Sequence, residues 1–282
     1  MEISVKLIIF IDTTQVMNKK IKVSHEVPFD LLDLSAEFND YDYNLPHLLD
    51  ESEQYLEYFT QAKQQGRYII MDNSLHELGT AYDTERLLHW INELKPNEFI
   101  VPDVWEHTTQ SIVNARKWSQ IKLPSDVTKV AVVQATSIGD AITCYQTYKD
   151  LGYKKIAFSY GASYYNSISD HPHKDLGKAL GRIKLISQLY RTKVISATDR
   201  VHLLGCAVPQ EFGWYVDMPF IESIDTSNPI MAALEGTAYG FNGLNEKPKL
   251  NMNQAQTCPY DEINIDLVRH NVELFRSINN LN

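Results

Sequence analysis

Short apolar runs that stop abruptly in a polar residue recur along this chain. The plainest is Tyr68-Ile-Ile-Met71, which follows Arg67 and ends in Asp72-Asn73-Ser74. Others are Phe99-Ile-Val-Pro-Asp103, Val130-Ala-Val-Val-Gln134, Ile156-Ala-Phe-Ser159-Tyr160, Val201-His-Leu-Leu-Gly205 and Phe220-Ile-Glu-Ser-Ile-Asp225. Near-continuous apolar runs of this length mark strands buried on both faces, as in parallel sheets. Helical spacing fills the intervals. Leu87, Leu88, Ile91 and Leu94 form a stripe over 82–95 that Pro96 ends, and Ile112, Ala115 and Trp118 form one over 107–120. Further helices are predicted over 138–151, 174–196 and 261–279, the last packing through Ile263, Leu267, Val272 and Phe275. The first fifth of the chain is less regular. Residues 4–10 read as a first strand, and 21–27 either pair with it as a hairpin or lead into the sheet. Residues 28–46 read as loop, with 31–34 as a strand candidate, before a helix from about His47 to Gln65 that Gly66 stops. A Tyr-, Ser- and Asn-rich loop is expected at 162–172, a short helix from Pro209, and irregular polar chain from Ala238 to Pro259.

Strands alternating with helices define an α/β protein. About eight strands, and no Gly-x-Gly-x-x-Gly after the first of them, favour a TIM-type (β/α)8 barrel over a doubly wound open sheet. At 282 residues the chain suits one barrel domain over 1–282, although two smaller domains would also fit, and no linker interrupts it. In such a barrel the strand C-termini share one face, and that face carries the site.

Composition narrows the partners. The net charge of −10 argues against a broadly basic surface but leaves room for a local phosphate-binding groove. No apolar stretch approaches the ~20 residues that span a bilayer, and the first ten residues lack a leader's basic start and cleavage site. Cys144, Cys206 and Cys258 are too scattered for a disulfide framework or a zinc knuckle, so a reducing cytoplasm is expected.

A single Asp at a strand end is ordinarily a turn former or an N-cap. Asp72, Asp103 and Asp225, with Gln134 between them in chain order, converge on one face if the barrel forms. Crowded carboxylates cannot all ionise cheaply, so nucleophile, proton carrier and N–H acceptor become separable roles. Bland readings stay open beside these. Gln134 can cap the next helix, and Tyr160, Tyr164 and Tyr165 can be loop packing rather than a base-stacking platform. Lys174, Lys178, Arg182 and Lys184 can be a solvated helix face, and Trp105 can be core or rim.

The ordered set of strand-end motifs resembles the tRNA-guanine transglycosylases over roughly residues 65–230. Asp72-Asn-Ser stands where that family has Asp-Ser-Gly, and Val132-Val-Gln134-Ala-Thr is similar to Val-Gln-Gly-Gly. Phe158-Ser-Tyr-Gly161 falls at the Gly-Gly-Leu-Ala turn, and His202-Leu-Leu-Gly205-Cys-Ala-Val-Pro209 resembles Leu-Met-Gly-Val-Gly-x-Pro. Asp225, twenty positions beyond Gly205, occupies the place of the nucleophilic Asp. The family's Cys-x-Cys-x-x-Cys…His zinc site is missing, and the Arg-rich stretch after the nucleophile is Thr226-Ser-Asn-Pro229 here. In these respects the chain looks more like the phage 7-deazaguanine DNA transglycosylases.

The resemblance implies exchange of guanine for a 7-deazaguanine, of cyano or aminomethyl type, in DNA, with no cofactor, no zinc-binding subdomain and no metal. Asp225 would be the nucleophile and Asp72 the proton carrier. Asp103, Gln134, Ser159, Tyr160, Gly161, Gly205, Asn73 and Ser74 would bind the base, and Lys174, Lys178 and Arg182 the phosphates. The partners implied are DNA before tRNA, and guanine or 7-deazaguanine bases, with no membrane and room for a homodimer. The location implied is the cytoplasm, a host's if the protein is phage-encoded. Three alternatives remain: a tRNA-guanine transglycosylase, a metal-dependent amidohydrolase-like barrel suggested by His171-Pro-His173, and a non-catalytic nucleic-acid-binding barrel.

Overall fold

The computed structural model describes residues 20–244, 246–256, 258 and 260–281. Eight parallel strands lie in the order β1-β8-β7-β6-β5-β4-β3-β2 and curve into a nearly closed (β/α)8 barrel. They are β1 (Lys22–Ser24), β2 (Asp42–Asn44), β3 (Ile69–Met71), β4 (Glu98–Ile100), β5 (Thr128–Val133), β6 (Lys155–Ser159), β7 (Val201–Leu204) and β8 (Ile221–Asp225). The expected strand at 4–10 lies outside the described residues. Residues 21–27 enter the barrel directly, with β1 in parallel register on β8 from Lys22–Ser223 to Ser24–Asp225.

The helices follow their strands. In order they are α1 (Leu32–Phe38), α2 (Pro46–Glu51), α3 (Glu53–Gln64), α4 (Leu75–Leu78), α5 (Thr84–Leu94) and α6 (Thr108–Gln120). Then come α7 (Ile138–Asp150), α8 (Tyr164–Ile168), α9 (Lys174–Arg191), α10 (Asn228–Leu234), α11 (Met252–Ala255) and α12 (Ile265–Ile278). On α5 the predicted Leu87, Ile91 and Leu94 are buried; on α12 the predicted Val272 and Phe275 are buried, with Val268 beside them where the predicted Leu267 is only half-buried. Each such fully buried side chain contributes roughly 1.5–3 kcal/mol.

The segment 28–46 departs from its expected loop. Residues 31–34 belong to a 3-10 turn and to α1, whose Leu32, Ser35 and Phe38 recur at helical spacing and are buried. The missed strand, β2, is only Asp-Tyr-Asn, yet all three residues are buried. Asp42 is buried because Arg67 pairs with it at 2.5 Å from the chain entering β3. The predicted helix 47–65 breaks at Ser52, whose hydroxyl caps α3 by accepting from the Tyr55 N–H at 3.2 Å. Likewise, the expected loop 162–172 contains α8.

The ring closes between β1 and β2 mainly through side chains, with one backbone bond in place of a strand ladder. Asn39 acts as a strand peptide would. Its Oδ1 accepts from the His25 N–H at 2.5 Å, and its Nδ2 donates to the His25 carbonyl at 2.9 Å. Asp40 does the same for Val23, its Oδ2 accepting from the Val23 N–H and its own N–H donating to the Val23 carbonyl, both at 2.9 Å.

Strand alternation separates two packing regions. Ile69, Met71, Phe99, Val133, Phe158 and Leu203 face the helices. Tyr41, Tyr43, Ile70, Ile100, Val130, Val132 and Ala157 form a smaller cluster inside the ring. Beside that cluster the interior is polar: Glu98, Lys155, His202, Ser223 and Asp225 are all buried.

Asn39→Ala strips partners from both backbone groups of His25. Leaving a buried polar group unmade costs about 1–3 kcal/mol, so urea unfolding should show a loss of roughly 2–4 kcal/mol with the m-value unchanged.

Candidate active site

Parallel strands deliver their C-terminal residues to one mouth, and there a cavity of about 310 Å³ opens. Asp72, Asn73, Asp103, Gln134, Ser159, Tyr160, Gly205 and Asp225 line it, together with the unpredicted Glu26, Glu77 and Lys247.

Asp225 ends β8, and its carboxylate is 4% exposed, well removed from water. Its donors are therefore internal. Oδ2 accepts from the Gly205 N–H at 3.2 Å, and Oδ1 lies 2.8 Å from Nε2 of His202. Gly205 is in the left-handed region (φ 57°), and a Cβ there would meet the Tyr160 ring at 2.4 Å, so this donor position requires glycine. Glu26 also hydrogen-bonds Asp225, forming a carboxyl–carboxylate pair. Burial, and then the charge of Asp72, push the Asp225 carboxyl up to about 8. Burial and the nearby Asp225 and Asp72 raise Glu26 well above the carboxylate range. Because Gly205 and His202 both donate to Asp225, it is Asp225 that ionises first, leaving the proton of the pair on Glu26.

Asp72 follows β3 across the mouth. The Tyr43 hydroxyl donates to its Oδ1 at 2.9 Å and the Ser74 N–H to its Oδ2 at 2.8 Å. Burial still raises its pKa, and Glu77 close by is raised well above normal by burial and by Glu26. The mouth therefore holds several carboxyl groups of which only some can be charged at once.

Asp103 sits apart from that cluster with both oxygens held. Asn73 Nδ2 donates to Oδ1 at 2.6 Å, and Gln134 Nε2 to Oδ2 at 2.7 Å. Gln134 is itself oriented by the Glu106 N–H, which donates to its Oε1 at 3.0 Å. It is not the cap of the following helix, because Ser137 fills that position. Burial lifts Asp103 to about 7 against those two donors. The hydroxyl of Ser159, 5% exposed, has no hydrogen-bond partner among the described residues.

At the rim, Tyr160 joins His76 edge-on, and Lys247 both donates to the Tyr160 hydroxyl and sits 4.2 Å from its ring centroid. Trp105 is 42% exposed there. Tyr164 and Tyr165 are buried and pack on each other, so they are core rather than a stacking platform.

Several predicted residues do other work. Ser74 is fully buried in the left-handed region (φ 57°), its hydroxyl 2.7 Å from Nδ1 of His47, so it shapes the turn after β3 and does not line the cavity. Gly161 (φ 79°) lies behind Trp105 and is also outside the lining. Arg182 cannot contact phosphates. It is 1% exposed, pairs with buried Glu211 at 2.6 Å, and donates to the carbonyls of Leu204 (3.0 Å) and Gly205 (2.8 Å). Its helix packs on α8 so closely that a Cβ at Gly181 would overlap the Tyr165 carbonyl. Lys174 is exposed and Lys178 half-buried on α9, neither of them in the cavity wall. His171 and His173 serve the turn before α9. Nδ1 of His171 accepts from the His173 N–H, and Nδ1 of His173 accepts from the Leu176 N–H. Among the described residues no group of His, Cys, Asp and Glu is arranged to hold a metal ion, and no helix is long and apolar enough to cross a membrane.

Fold and mouth together define a (β/α)8 barrel with a buried carboxylate site at its C-terminal face. No protein-family model matches the chain, and no curated protein sequence is significantly similar to it.

The raised carboxyls carry a stability signature. A group whose pKa is higher folded than unfolded (about 4 for Asp) supports the fold below its unfolded pKa and loses that support as pH rises through its folded pKa. For Asp103 and Asp225 this window runs from about 4 to about 7 and about 8. Asp225→Asn should therefore melt above the parent protein at pH 8.5, by roughly 2–4 °C for each 1 kcal/mol gained. The gap should shrink steadily toward pH 5 in calorimetric scans.

Proposed function

We propose that this protein exchanges a purine base in a nucleic acid without breaking the strand, with guanine leaving and a 7-deazaguanine entering. The observation that carries the reading is the division of carboxyl groups in one cavity. Asp225, bonded to Gly205 and His202, ionises before the Glu26 that shares its proton, while Asp103 stands apart with both oxygens oriented by amides.

In the first half-reaction Asp225 attacks C1′, the C1′–N9 bond breaks, and guanine leaves with its N9 protonated by Asp72. A glycosyl ester on Asp225 remains. In the second, the ionised Asp72 takes the N9 proton of the incoming base, which attacks C1′ and frees Asp225. Each half conserves charge, because the proton lent by Asp72 returns to it. Asp103, each oxygen still able to accept one more bond beside its amide donor, suits the ring N–H and exocyclic amine of a guanine-like edge, and an analogue lacking them leaves those buried acceptor positions unfilled. The second N–H of Gln134 and the free Ser159 hydroxyl are available to the base carbonyl and its neighbours. The target base must leave its stack to enter. With a net charge of −10, a short contact with a locally opened DNA duplex suits the chain better than a broad grip on folded tRNA.

Radiolabelled guanine offered with duplex DNA or with tRNA tests this directly. Label should enter DNA, and Asp225→Asn should abolish uptake while remaining folded. Uptake into tRNA alone would move the substrate to the alternative polymer. Uptake into neither, by the parent protein, would remove the base-exchange reading.

Asp72→Asn keeps the turn contact, its oxygen accepting from the Ser74 N–H while its NH2 donates to a reoriented Tyr43 hydroxyl, but it cannot carry a proton. Single-turnover exchange should fall by about 10²–10⁴, and a loss under about tenfold would leave Asp72 as a turn former.

A further inference from the structure

The buried residues beneath Asp225 form a continuous hydrogen-bonded column whose polarity can be worked out from chemistry alone. Lys155 lies at its base, 1% exposed, with Nζ 2.6 Å from Glu98 Oε2 and 2.8 Å from Ser223 Oγ. An ammonium group only donates. Ser223 therefore accepts from Lys155, which leaves its single hydroxyl proton for its other neighbour, Nδ1 of His202, at 2.9 Å. Nδ1 is then an acceptor, so a neutral His202 carries its proton on Nε2, the nitrogen 2.8 Å from Asp225. The ring is completely buried and stacked on Tyr43 with an interplanar angle of 15°. Burial and the nearby Lys155 hold it neutral, its pKa lowered to about 3.

We propose that Lys155, Ser223 and His202 are positioning residues that make His202 a fixed Nε2–H donor to Asp225, aligning the nucleophile and keeping it an acceptor. The inference rests on Asp225 being the nucleophile. None of these side chains touches substrate. They act as second-sphere partners of catalytic groups do, by fixing a tautomer from behind. The column also ties the mouth to the opposite end of the barrel, because Glu98 is shared with Arg200 at 2.6 Å.

Two measurements test this, the first needing no substrate. In 15N spectra of histidine-labelled protein, His202 should be neutral with its proton on Nε2. The same should hold in Asp225→Asn, where no carboxylate pulls on Nε2. Ser223→Ala in that background should shift the ring to a mixture of tautomers. A proton on Nδ1 in the parent protein, or a tautomer indifferent to Ser223 in the Asp225→Asn background, overturns the proposal.

The second measurement is the rate at which labelled duplex DNA becomes covalently attached to the protein, read on denaturing gels. His202→Leu should slow attachment on the order of 10²-fold, the cost of a misplaced reacting group, while guanine affinity stays close to the parent value. His202→Gln, which keeps an N–H near the Nε2 position, should recover most of that rate. Attachment by His202→Leu at the parent rate, or equal loss in both variants, overturns the positioning role. Failure of the parent protein to attach DNA, with the Nε2 tautomer intact, instead defeats the reading of Asp225 as nucleophile.

Discussion

A carboxylate kept from water must find its hydrogen-bond donors inside the protein, and at Asp225 these are Gly205 and His202. Both sit on the neighbouring strand or its end, and each depends on something deeper. Gly205 can offer its N–H only because the chain there adopts a left-handed turn and Arg182 holds its carbonyl. His202 can donate only because Ser223 and Lys155 settle which ring nitrogen carries the proton. Much of the barrel interior is arranged around one carboxyl group.

That arrangement has a cost. The interior of such a barrel is ordinarily filled by branched apolar side chains in layers. Here Glu98, Lys155, Arg200 and Glu222 share ion pairs at 2.6–3.3 Å below the site. Burying charges rarely adds net stability even when they are well paired, but removing one partner leaves the others stranded. Such a network therefore selects one arrangement of side chains rather than a stronger fold. Tyr41 adds to the constraint by donating to the Ile224 carbonyl at 2.5 Å, beside the last residue of β8.

The mouth is finished by chain remote from it in sequence. After α10, residues 247–252 cross the cavity edge, pinned where Glu235 Oε1 accepts the N–H groups of Lys249 (2.5 Å) and Leu250 (2.6 Å). This brings a cation, Lys247, against the aromatic face of Tyr160 and near the acidic cluster, where its charge opposes the upward shift of Glu26. The carboxyl groups are thus partly screened from solvent on the open side. A bound ligand would replace the remaining water and strengthen every contact beneath it.

Strand ends are legible in a sequence because an apolar run buried on both faces stops where the chain leaves the sheet. Asp72, Asp103, Gln134 and Asp225 were readable for that reason, and so was the barrel. β2 was not, because Asp42-Tyr43-Asn44 has no apolar run and its burial depends on Arg67 and the β1–β2 seam. Glu26 and Lys247 lie in connections with no periodicity, and Glu77 in α4, a single turn too short to show any, so nothing local marked them. Arg182 misled for the opposite reason. A charged residue in a helix repeat reads as solvated, while its partner Glu211 lies 29 positions away. His202 was visible only as a polar residue within an apolar strand; its role depends on Lys155 and Ser223 arriving from other strands. Local patterning thus determined which elements form and where they end. Which polar groups meet was decided by closure of the barrel, because hydrogen bonds and ion pairs between distant residues leave no periodic trace along the chain.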